Sequence, residues 1–545
     1  MKRFAPLILA ALLGATPALA VEPADALLEA RLEAHITFLA DDLLRGRQPG
    51  TEGYEIAARY VASQFRQLGL TPAGVDGSYF QPVPLRRAWL EDGSAVMRLE
   101  NAAGGVDFRF GDEFFMGPGM ARTTTELTAP MVFAGYGIDA PPLEYDDYAG
   151  LDVAGKIVVV LNGMPQHFPS EEGAHFANRR ELARNAMQRG AVGLVRIHTP
   201  RSEQRFAWSR LGSMIGMPSM SWLDADGAPF PDYGPLQAGA LVHHAAAARM
   251  FAGSGHTMAE LVALDEAGAE LPRFELPGTL RLARKSRHEA IESPNVAAYL
   301  PGSDPLLDGE IVVYTAHLDH IGELHHEGAG AGHDDLINNG ALDNASGTAV
   351  MLETARLFAE QGAPGRSLLF LAVTAEEKGL VGSEYYAHHP TIPVERMAGL
   401  VNLDMPLLLY DFGDVIAFGA EHSTLGDAVA EAAGAFGVKL TPDPFPEQNI
   451  FVRSDHYRFV QQGVPSVFLV TGTTSMDGET DTQAIFEGFL QEHYHMPSDD
   501  LNLPIDYRAA ARFTRINARI GEILGNQRER PRWHEGDFFG ETFGR

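Results

Sequence analysis

The amino-acid sequence predicts an α/β fold in which a mostly parallel central sheet is flanked by helices and carries a smaller inserted α/β domain. Four apolar runs of strand length occur in the second half of the chain, namely EIVVYTAHLDH, RSLLFLAVTAEE, AGLVNLDMP and VPSVFLVTG. Strands that are apolar throughout are typical of parallel sheets covered on both faces. Segments with helical spacing, SGTAVMLETARLFAEQG and STLGDAVAEAAGAFG, separate these runs, and alternation of this kind favours a parallel sheet.

The N-terminal twenty residues, MKRFAPLILAALLGATPALA, have the pattern of a secretory signal peptide. Lys2 and Arg3 precede an apolar stretch, and Ala18-Leu19-Ala20 forms an A-x-A cleavage signal. The apolar stretch is shorter than the roughly 20 residues that span a bilayer. We therefore expect a mature chain that starts at Val21 and is periplasmic or secreted, without a membrane anchor.

The mature chain divides into regions of different pattern. In the first, TEGYEIAARYVASQFRQLGL predicts an amphipathic helix that ends at Gly69. A stretch rich in Gly and Pro follows, in which APMVFAGYGI and GKIVVVLNG predict short strands and NRRELARNAMQRGAVGLVRIH predicts a helix and a strand. The predicted segments are a signal peptide (1–20), an N-terminal part of the main domain (21–122), the insert (123–270), the rest of the main domain (271–530) and a C-terminal tail (531–545).

Composition excludes several classes of function. The formal charge of −30 argues against binding to nucleic acids or anionic membranes, because both need a basic face. A hydrophobic content of 45% and a charged content of 21% are ordinary for a globular protein. The chain has no cysteine, which excludes thiolate chemistry, so any metal ion must be held by His, Asp and Glu.

Several of the predicted strands end in a carboxylate or a histidine. His317 and Asp319 follow the first apolar run, the pair Glu376-Glu377 follows the second, and Asp404 follows the third. Ligand sites of open α/β sheets lie outside the carboxyl ends of the strands, so we expect these side chains to face one crevice. Asp343, before a predicted helix, and His495, on a late loop, are candidates for the same crevice.

Each of these residues alone also has an ordinary structural interpretation. A lone histidine is usually a hydrogen-bonded structural residue, Asp343 could begin a helix, and two adjacent glutamates could be a solvated strand end. Carboxylates that converge, however, repel one another, and their uncompensated burial is costly, so a cation is the natural compensation. Two histidines and several carboxylates suit Zn²⁺, Mn²⁺ or Co²⁺. The number of acids suggests two ions about 3.5–4 Å apart that share a carboxylate, with one glutamate left as general base.

Five motifs resemble, in order, the metal-binding motifs of the M28 family of co-catalytic zinc aminopeptidases. They are TAHLDHIG, NNGALDNASGTA, TAEEKGLVGSEYY, NLDMP and HYHMPSDD. FLADDLLRGRQPGTEGYEIAARYVASQFRQLGL resembles the N-terminal segment of this family. FAGYGIDAPPLEYDDYAGLDVAGKIVVVLNG is similar to its protease-associated (PA) insert. The resemblance covers nearly the whole mature chain and implies a zinc-exopeptidase-like fold with a PA domain insert.

Carried over to this sequence, the resemblance implies two Zn²⁺ ions, for which Mn²⁺ or Co²⁺ are potential substitutes. Asp343 would bridge both ions. His317 and Asp404 would complete one site, and Glu377 and His495 the other.

The resemblance also implies roles for residues that do not bind metal. Glu376 would be the general base that takes a proton from the attacking water and later passes one to the leaving amine. Asp319 would lie behind His317 and orient its ring, and Asp499 would do the same near His495. The segment VRSDHYRF borders the substrate cleft in the family, so Arg453 or Asp455 is a candidate substrate contact.

Two features of the sequence depart from the family pattern or lack a family counterpart. The loop GELHHEGAGAGHDDLI carries His325, His326 and His333, which are either accessory ligands or solvated residues at the mouth of the site. After His495 the chain reads Met-Pro where the family often has Thr-Pro, at a position that is not a ligand.

The function implied is that of a secreted metallo-aminopeptidase that hydrolyses N-terminal peptide bonds through a dizinc-activated water. The alternatives with the same fold are a carboxypeptidase, a glutaminyl cyclase, which works with one zinc ion, and a non-catalytic binding protein like the receptors whose metal site has decayed. The expected substrates are peptide or protein N-termini. The preferred N-terminal residue, the native metal, the oligomeric state and the role of the insert stay open.

Overall fold

A computed structural model of the protein describes residues 23–102, 104–212, 215–324 and 335–544. The predicted signal peptide, the expected start at Val21 and the loop histidines His325, His326 and His333 lie outside these residues. The statements below concern the described part of the chain.

The strands are numbered in chain order. They are β1 (Thr71–Pro72), β2 (Phe80–Leu90), β3 (Val96–Asn101), β4 (Gly104–Asp107), β5 (Phe114–Phe115), β6 (Thr124–Ala134), β7 (Asp139–Ala140), β8 (Tyr145–Asp146), β9 (Ile157–Leu161), β10 (Gly193–His198), β11 (Ser219–Trp222), β12 (Ala238–His243), β13 (Arg273–Leu300), β14 (Ile311–His317), β15 (Gly322–Glu323), β16 (Ile337–Asn338), β17 (Ser367–Val373), β18 (Met397–Asn402), β19 (Asp414–Phe418), β20 (Lys439–Thr441) and β21 (Ser466–Thr471).

The α-helices are numbered in the same way. They are α1 (Pro23–Leu39), α2 (Glu52–Gln67), α3 (Ser170–Phe176), α4 (Arg179–Gln188), α5 (Pro200–Arg205), α6 (Trp208–Leu211), α7 (His244–Ala247), α8 (Met258–Glu266), α9 (Gly347–Gln361), α10 (Val381–His388), α11 (Leu425–Gly434), α12 (His456–Val460), α13 (Thr482–Glu492), α14 (Tyr507–Asn526) and α15 (Phe538–Phe543). None of them is long and apolar enough to cross a membrane.

The central sheet has the predicted mostly parallel core. Its strand order is β11-β2-β13-β17-β14-β18-β21-β19-β20. The four apolar runs form β17, β14, β18 and β21, which are adjacent and parallel. The flanking strands β13 and β19 pair antiparallel with this group. Because the four parallel strands run the same way, their carboxyl ends meet at one edge of the sheet.

Helices cover both faces of this sheet. On β14, Val312 and Tyr314 pack into a core that includes α1, α2, α9 and α14. Ile311 and Val313 of the same strand face the opposite side, where Tyr386 of α10 and Phe459 of α12 pack. Every residue of β14, β17 and β18 is buried, as expected for strands enclosed between helix layers.

A second sheet, with its own hydrophobic core, forms the inserted part. Its order is β5-β12-β10-β9-β6-β13-β3-β4, and β12, β10, β9 and β6 are parallel. The long strand β13 belongs to both sheets, pairing with β6 up to Lys285 and with β2 from Ser286 onward. The buried residues of the second core run from Met97 to Leu282, while the boundaries 123 and 270 stay predictions.

A buried histidine joins the insert, the main domain and the C-terminal segment. The His422 ring contacts Glu171 of α3 through Nε2 at 2.6 Å and Asp537, beside α15, through Nδ1 at 2.5 Å. Burial opposes a charge on this ring, but the two carboxylates raise the pKa of His422 to about 10. The ring is therefore an imidazolium at neutral pH, and it holds three separate parts of the chain together.

Candidate metal centre

The parallel strands deliver the predicted residues to one place. His317 is the last residue of β14, Glu376 and Glu377 follow β17 in a tight turn, and Asp404 lies two residues after β18. Asp343 lies in the turn that leads into α9, and His495 lies in the loop after α13. All six side chains that the sequence predicts at the metals or as general base meet at the carboxyl edge of the sheet.

His317, Asp343 and Asp404 form one cluster. The Nε2 atom of His317 lies 3.2 Å from Oδ1 of Asp343 and 3.0 Å from Oδ1 of Asp404. One ligand atom from each of these three buried residues lies within 4.8 Å of the others, which is a spacing that a single ion could span. The cluster is equivalent to one of the two predicted metal sites.

Asp343, Glu377 and His495 form the second cluster. The Nε2 atom of His495 lies 3.3 Å from Oδ2 of Asp343 and 3.2 Å from Oε2 of Glu377. The two oxygens of Asp343 therefore face different partners, Oδ1 toward His317 and Oδ2 toward His495. This is the arrangement that a carboxylate bridging two ions requires.

His320 is a member of the site that the sequence did not assign. Its Nδ1 atom lies 2.6 Å from Oε1 of Glu377 and 3.9 Å from Oδ1 of Asp343, and the residue is fully buried. Gly340 makes room for it, since a Cβ atom there would meet the His320 ring at 2.6 Å. The available signal was its position in the HLDH motif, one residue after Asp319.

Asp319 supports both the predicted ligand His317 and the turn that carries Glu376. His317 donates from Nδ1 to the main-chain carbonyl of Asp319 at 3.0 Å, which leaves Nε2 for the metal. The Asp319 carboxylate was expected to orient this ring, but it accepts a hydrogen bond from the Glu376 amide at 3.0 Å. Asp319 thus supports both the ring of His317, through its carbonyl, and the turn that carries Glu376, through its carboxylate.

Three further residues that the sequence predicts near the metal ligands or the substrate are Asp499, Asp455 and Arg453. Asp499 was expected near the ring of His495, but it accepts from the amides of Leu342 and Asp343 at 2.9 and 3.0 Å. Asp455 is fully buried, and neither of its oxygens has a hydrogen-bond partner. Arg453 is exposed, and it donates to the hydroxyl of Tyr494 at 3.4 Å, beside His495.

Two polar residues that the sequence did not single out also support the ligand loops. Ser454 donates to Oδ2 of Asp404 at 2.5 Å, and it accepts from the side chain of Asn402. Arg47 is buried behind the site and donates to the carbonyls of Leu318, Asn339 and Gly340. The loops that carry His317 and Asp343 are therefore tied to one guanidinium.

The electrostatics of the site show how strongly its acids and histidines depend on each other. Burial would raise the pKa of Glu377, but His495 and His320 hold it well below the usual range. Burial would lower the pKa of His495, but Glu377 and Asp343 raise it to about 9. Because the carboxylates favour a positive charge on the rings, a cation bound here competes with protons for the same electrons.

The base candidate Glu376 behaves differently from its neighbour. Burial raises its pKa well above the usual range, His317 opposes the shift, and Asp404 and Glu377 add to it. A carboxylate with a raised proton affinity is suited to take up a proton during a reaction.

The residues present fit zinc. The clusters offer imidazole nitrogens and carboxylate oxygens, the donors that Zn²⁺ takes in sites without sulfur. Three fully buried polar atoms here have no hydrogen-bond partner, namely Nε2 of His320 and both oxygens of Asp455. The excess of acid over base at this edge is the condition that a bound cation relieves.

Comparison with known proteins agrees with this geometry. Residues 295–520, which contain both clusters, match the sequence profile of peptidase family M28. The matched region, which is less than half of the chain, is a peptidase family M28 domain. The match does not extend to the insert, so the insert's likeness to a PA domain stays a prediction.

Three relatives resemble this chain in part. Leupeptin-inactivating enzyme 1 of Streptomyces exfoliatus is 36% identical over 20% of this chain and 22% of its own length. Aminopeptidase YwaD of Bacillus subtilis is 28% identical over 35% of this chain and 36% of its own. Probable leucine aminopeptidase 2 of Aspergillus fumigatus is 28% identical over 38% of this chain and 39% of its own. The chain thus matches well under half of the length of these relatives.

The fold extends further than the sequence similarity. The structure of an aminopeptidase from Aneurinibacillus sp. strain AM-1 superposes on this chain with a TM-score of 0.53. The superposition covers 92% of this chain and 95% of that one, at 18% sequence identity. It confirms an aminopeptidase-like fold with a mostly parallel central sheet.

The position of Asp343 between the clusters leads to the first prediction. Asp343→Ala removes an oxygen from each cluster, so we expect this variant to lose metal from both clusters and not from one. Zinc content after dialysis against a weak chelator measures this, with Glu479→Ala as a control at an exposed carboxylate. A variant that keeps the full zinc content of the wild type would refute the bridging position.

Proposed function

We propose that this protein is an exported zinc aminopeptidase that removes N-terminal residues from peptides. The observation that carries the proposal is the bridging position of Asp343, whose two oxygens lie 3.2 Å from His317 and 3.3 Å from His495. The match of residues 295–520 to peptidase family M28 and the partial similarity to aminopeptidases support it. Export rests on the signal-like residues 1–20 and the absence of cysteine.

Two zinc ions would be held by the two clusters. His317, Asp343 and Asp404 would hold one ion, and Asp343, Glu377 and His495 the other. When bound, zinc supplies a Lewis acid that polarises the peptide carbonyl and makes water more acidic. Mn²⁺ and Co²⁺ accept the same ligands and are potential substitutes.

Glu376 moves the protons of the reaction. It lies in the same turn as the ligand Glu377, and its amide is held by Asp319 at 3.0 Å. Because its pKa is raised, the carboxylate can accept a proton from the attacking water and deliver it to the nitrogen of the leaving amine. Because the turn holds the base and the ligand in a fixed arrangement, the proton acceptor keeps its position relative to the scissile bond.

A carboxypeptidase is the second candidate, and one observation favours it. The guanidinium of Arg453 is exposed next to Tyr494 and His495, where it could receive the C-terminal carboxylate of a peptide. The many acids of the site favour instead the ammonium group of an N-terminus. The two candidates therefore differ in which end of the substrate must be free.

Glu376→Gln separates the base from the metal site. The substitution keeps the size of the side chain but removes the proton acceptor, so we expect turnover to fall by about 10²- to 10⁴-fold or more with zinc content unchanged. Turnover of a chromogenic aminoacyl substrate and zinc per chain are measured on the same sample. Wild-type turnover in this variant would remove Glu376 from the role of base.

A panel of blocked peptides tests the reaction itself. We expect cleavage of peptides with a free N-terminus, whether or not the C-terminus is amidated, and no cleavage when the N-terminus is acetylated. Activity should disappear on chelation and return with zinc. Release of C-terminal residues from acetylated peptides would favour the carboxypeptidase, with Arg453→Ala as the variant that abolishes it. Cyclisation of N-terminal glutamine with one zinc per chain would favour a cyclase.

A further inference from the structure

The turn that carries Glu376 and Glu377 has an unfavourable backbone. Ala375 and Leu380 adopt left-handed conformations with φ of 56° and 61°, and Gly379 between them has φ of 105°. This conformation is unfavourable for residues other than glycine, so the surroundings must hold it in place. The conformation closes a tight turn in which the amides of Gly379 and Leu380 donate to the carbonyl of Glu376 at 2.7 and 2.8 Å.

Main-domain residues hold the two ends of this turn. Asp319 accepts from the amide of Glu376, and the side chain of Asn295 accepts from Thr374 and donates to Gly382, at 2.9–3.0 Å. These contacts fix the turn where it leaves β17 and where it enters α10. The outer part of the turn, at Gly379, is held by other residues.

The insert supplies a contact at that outer part. Arg180, in the first turn of α4, donates from Nη2 to the carbonyl of Gly379 at 3.2 Å. Its Nη1 atom forms an ion pair with Oε1 of Glu384, a residue of α10 that is only 4% exposed. The other oxygen of Glu384 accepts from Nε1 of Trp222 on β11 at 3.1 Å. One guanidinium thus joins the outer turn to the helix that follows it.

The main-domain residue Arg458 makes the same two contacts at longer range. It lies 3.6 Å from Glu384 and donates to Gly379 at 3.4 Å. Burial and the neighbouring charge of Arg180 lower the pKa of Arg458 to about 10, while Glu384 opposes the shift. Arg180 makes the shorter contacts of the two, so it is the principal support of Gly379.

We propose that Arg180 is a positioning residue for the reaction, through which the insert fixes the turn 375–380 and the two glutamates on it. This role of Arg180 rests on the proposed function. It implies that the insert is a structural part of the site and does more than cover it. Arg180 touches neither metal ligand nor base directly. It acts through the carbonyl of Gly379 and the carboxylate of Glu384.

Kinetics and hydrogen exchange of the full zinc-loaded chain test this role. We expect Arg180→Ala to lower kcat by about 10- to 100-fold with KM little changed, as for other residues that support a ligand. Amide exchange in the peptide spanning 375–382 should become faster in this variant. Arg180→Lys keeps the charge but cannot make both contacts, so it should show a smaller change in the same direction and covers the case in which the alanine variant folds poorly.

Glu171→Gln is the matched control. Glu171 is also in the insert and contacts the main domain, at His422, but it does not touch the turn. If general loosening of the insert caused the effect, this control would lower kcat as much as Arg180→Ala does, and the proposal would fail. The proposal also fails if Arg180→Ala and Arg180→Lys leave kcat and exchange at the turn unchanged.

A double-mutant cycle with Glu384→Gln completes the test. Arg180 and Glu384 belong to one contact, so the double variant should lose no more kcat than the worse single variant, whereas multiplied losses would contradict the proposal. An inactive wild type would instead refute the proposed function, and exchange at the turn would still decide the role of Arg180.

Discussion

The structure depends on the burial of several carboxylates at one edge of the central sheet. Asp343, Glu377 and Asp404 face one another there, and Glu376, Asp319 and Asp455 lie directly around them. In a low-dielectric environment these negatively charged side chains repel one another strongly, and only nearby positive charge makes their burial stable. His317 and His495 supply part of that charge, and zinc is proposed to supply the rest. The fold must therefore hold the acids in place against their own repulsion.

Much of the backbone around the site follows from this requirement. Left-handed residues occur in the loops that carry Asp343, Glu377, Asp404 and His495, at Gly340, Ala375, Met405 and His495 itself. A left-handed residue turns the chain sharply, so a side chain just beyond a strand end can point back into the crevice. Buried polar groups then hold these turns. Arg47 ties the loops of His317 and Asp343, Asp499 holds the amide of Asp343, and Ser454 holds the carboxylate of Asp404.

The sequence predicted the parallel core and the convergence of the ligands because both follow from local pattern. An apolar run that leads to His317, Glu376 or Asp404 predicts both a buried strand and the position of the polar side chain at its end. Supporting residues were harder to find, since their partners are distant in sequence: Arg180 meets Glu384, and Arg47 meets Gly340. His320 lies in the motif TAHLDHIG, but the sequence does not assign it to the site, because only the turn after β14 brings its ring to Glu377. The long strand β13, shared by two sheets, has no period that marks where one sheet ends.

Anomalous diffraction at the zinc edge from crystals of the zinc-loaded protein tests directly whether Asp343 bridges two zinc ions. We expect two peaks about 3.5–4 Å apart, one on either side of Asp343. One peak should lie beside His317 and Asp404, and the other beside Glu377 and His495. A single peak, or zinc bound away from Asp343, would contradict it.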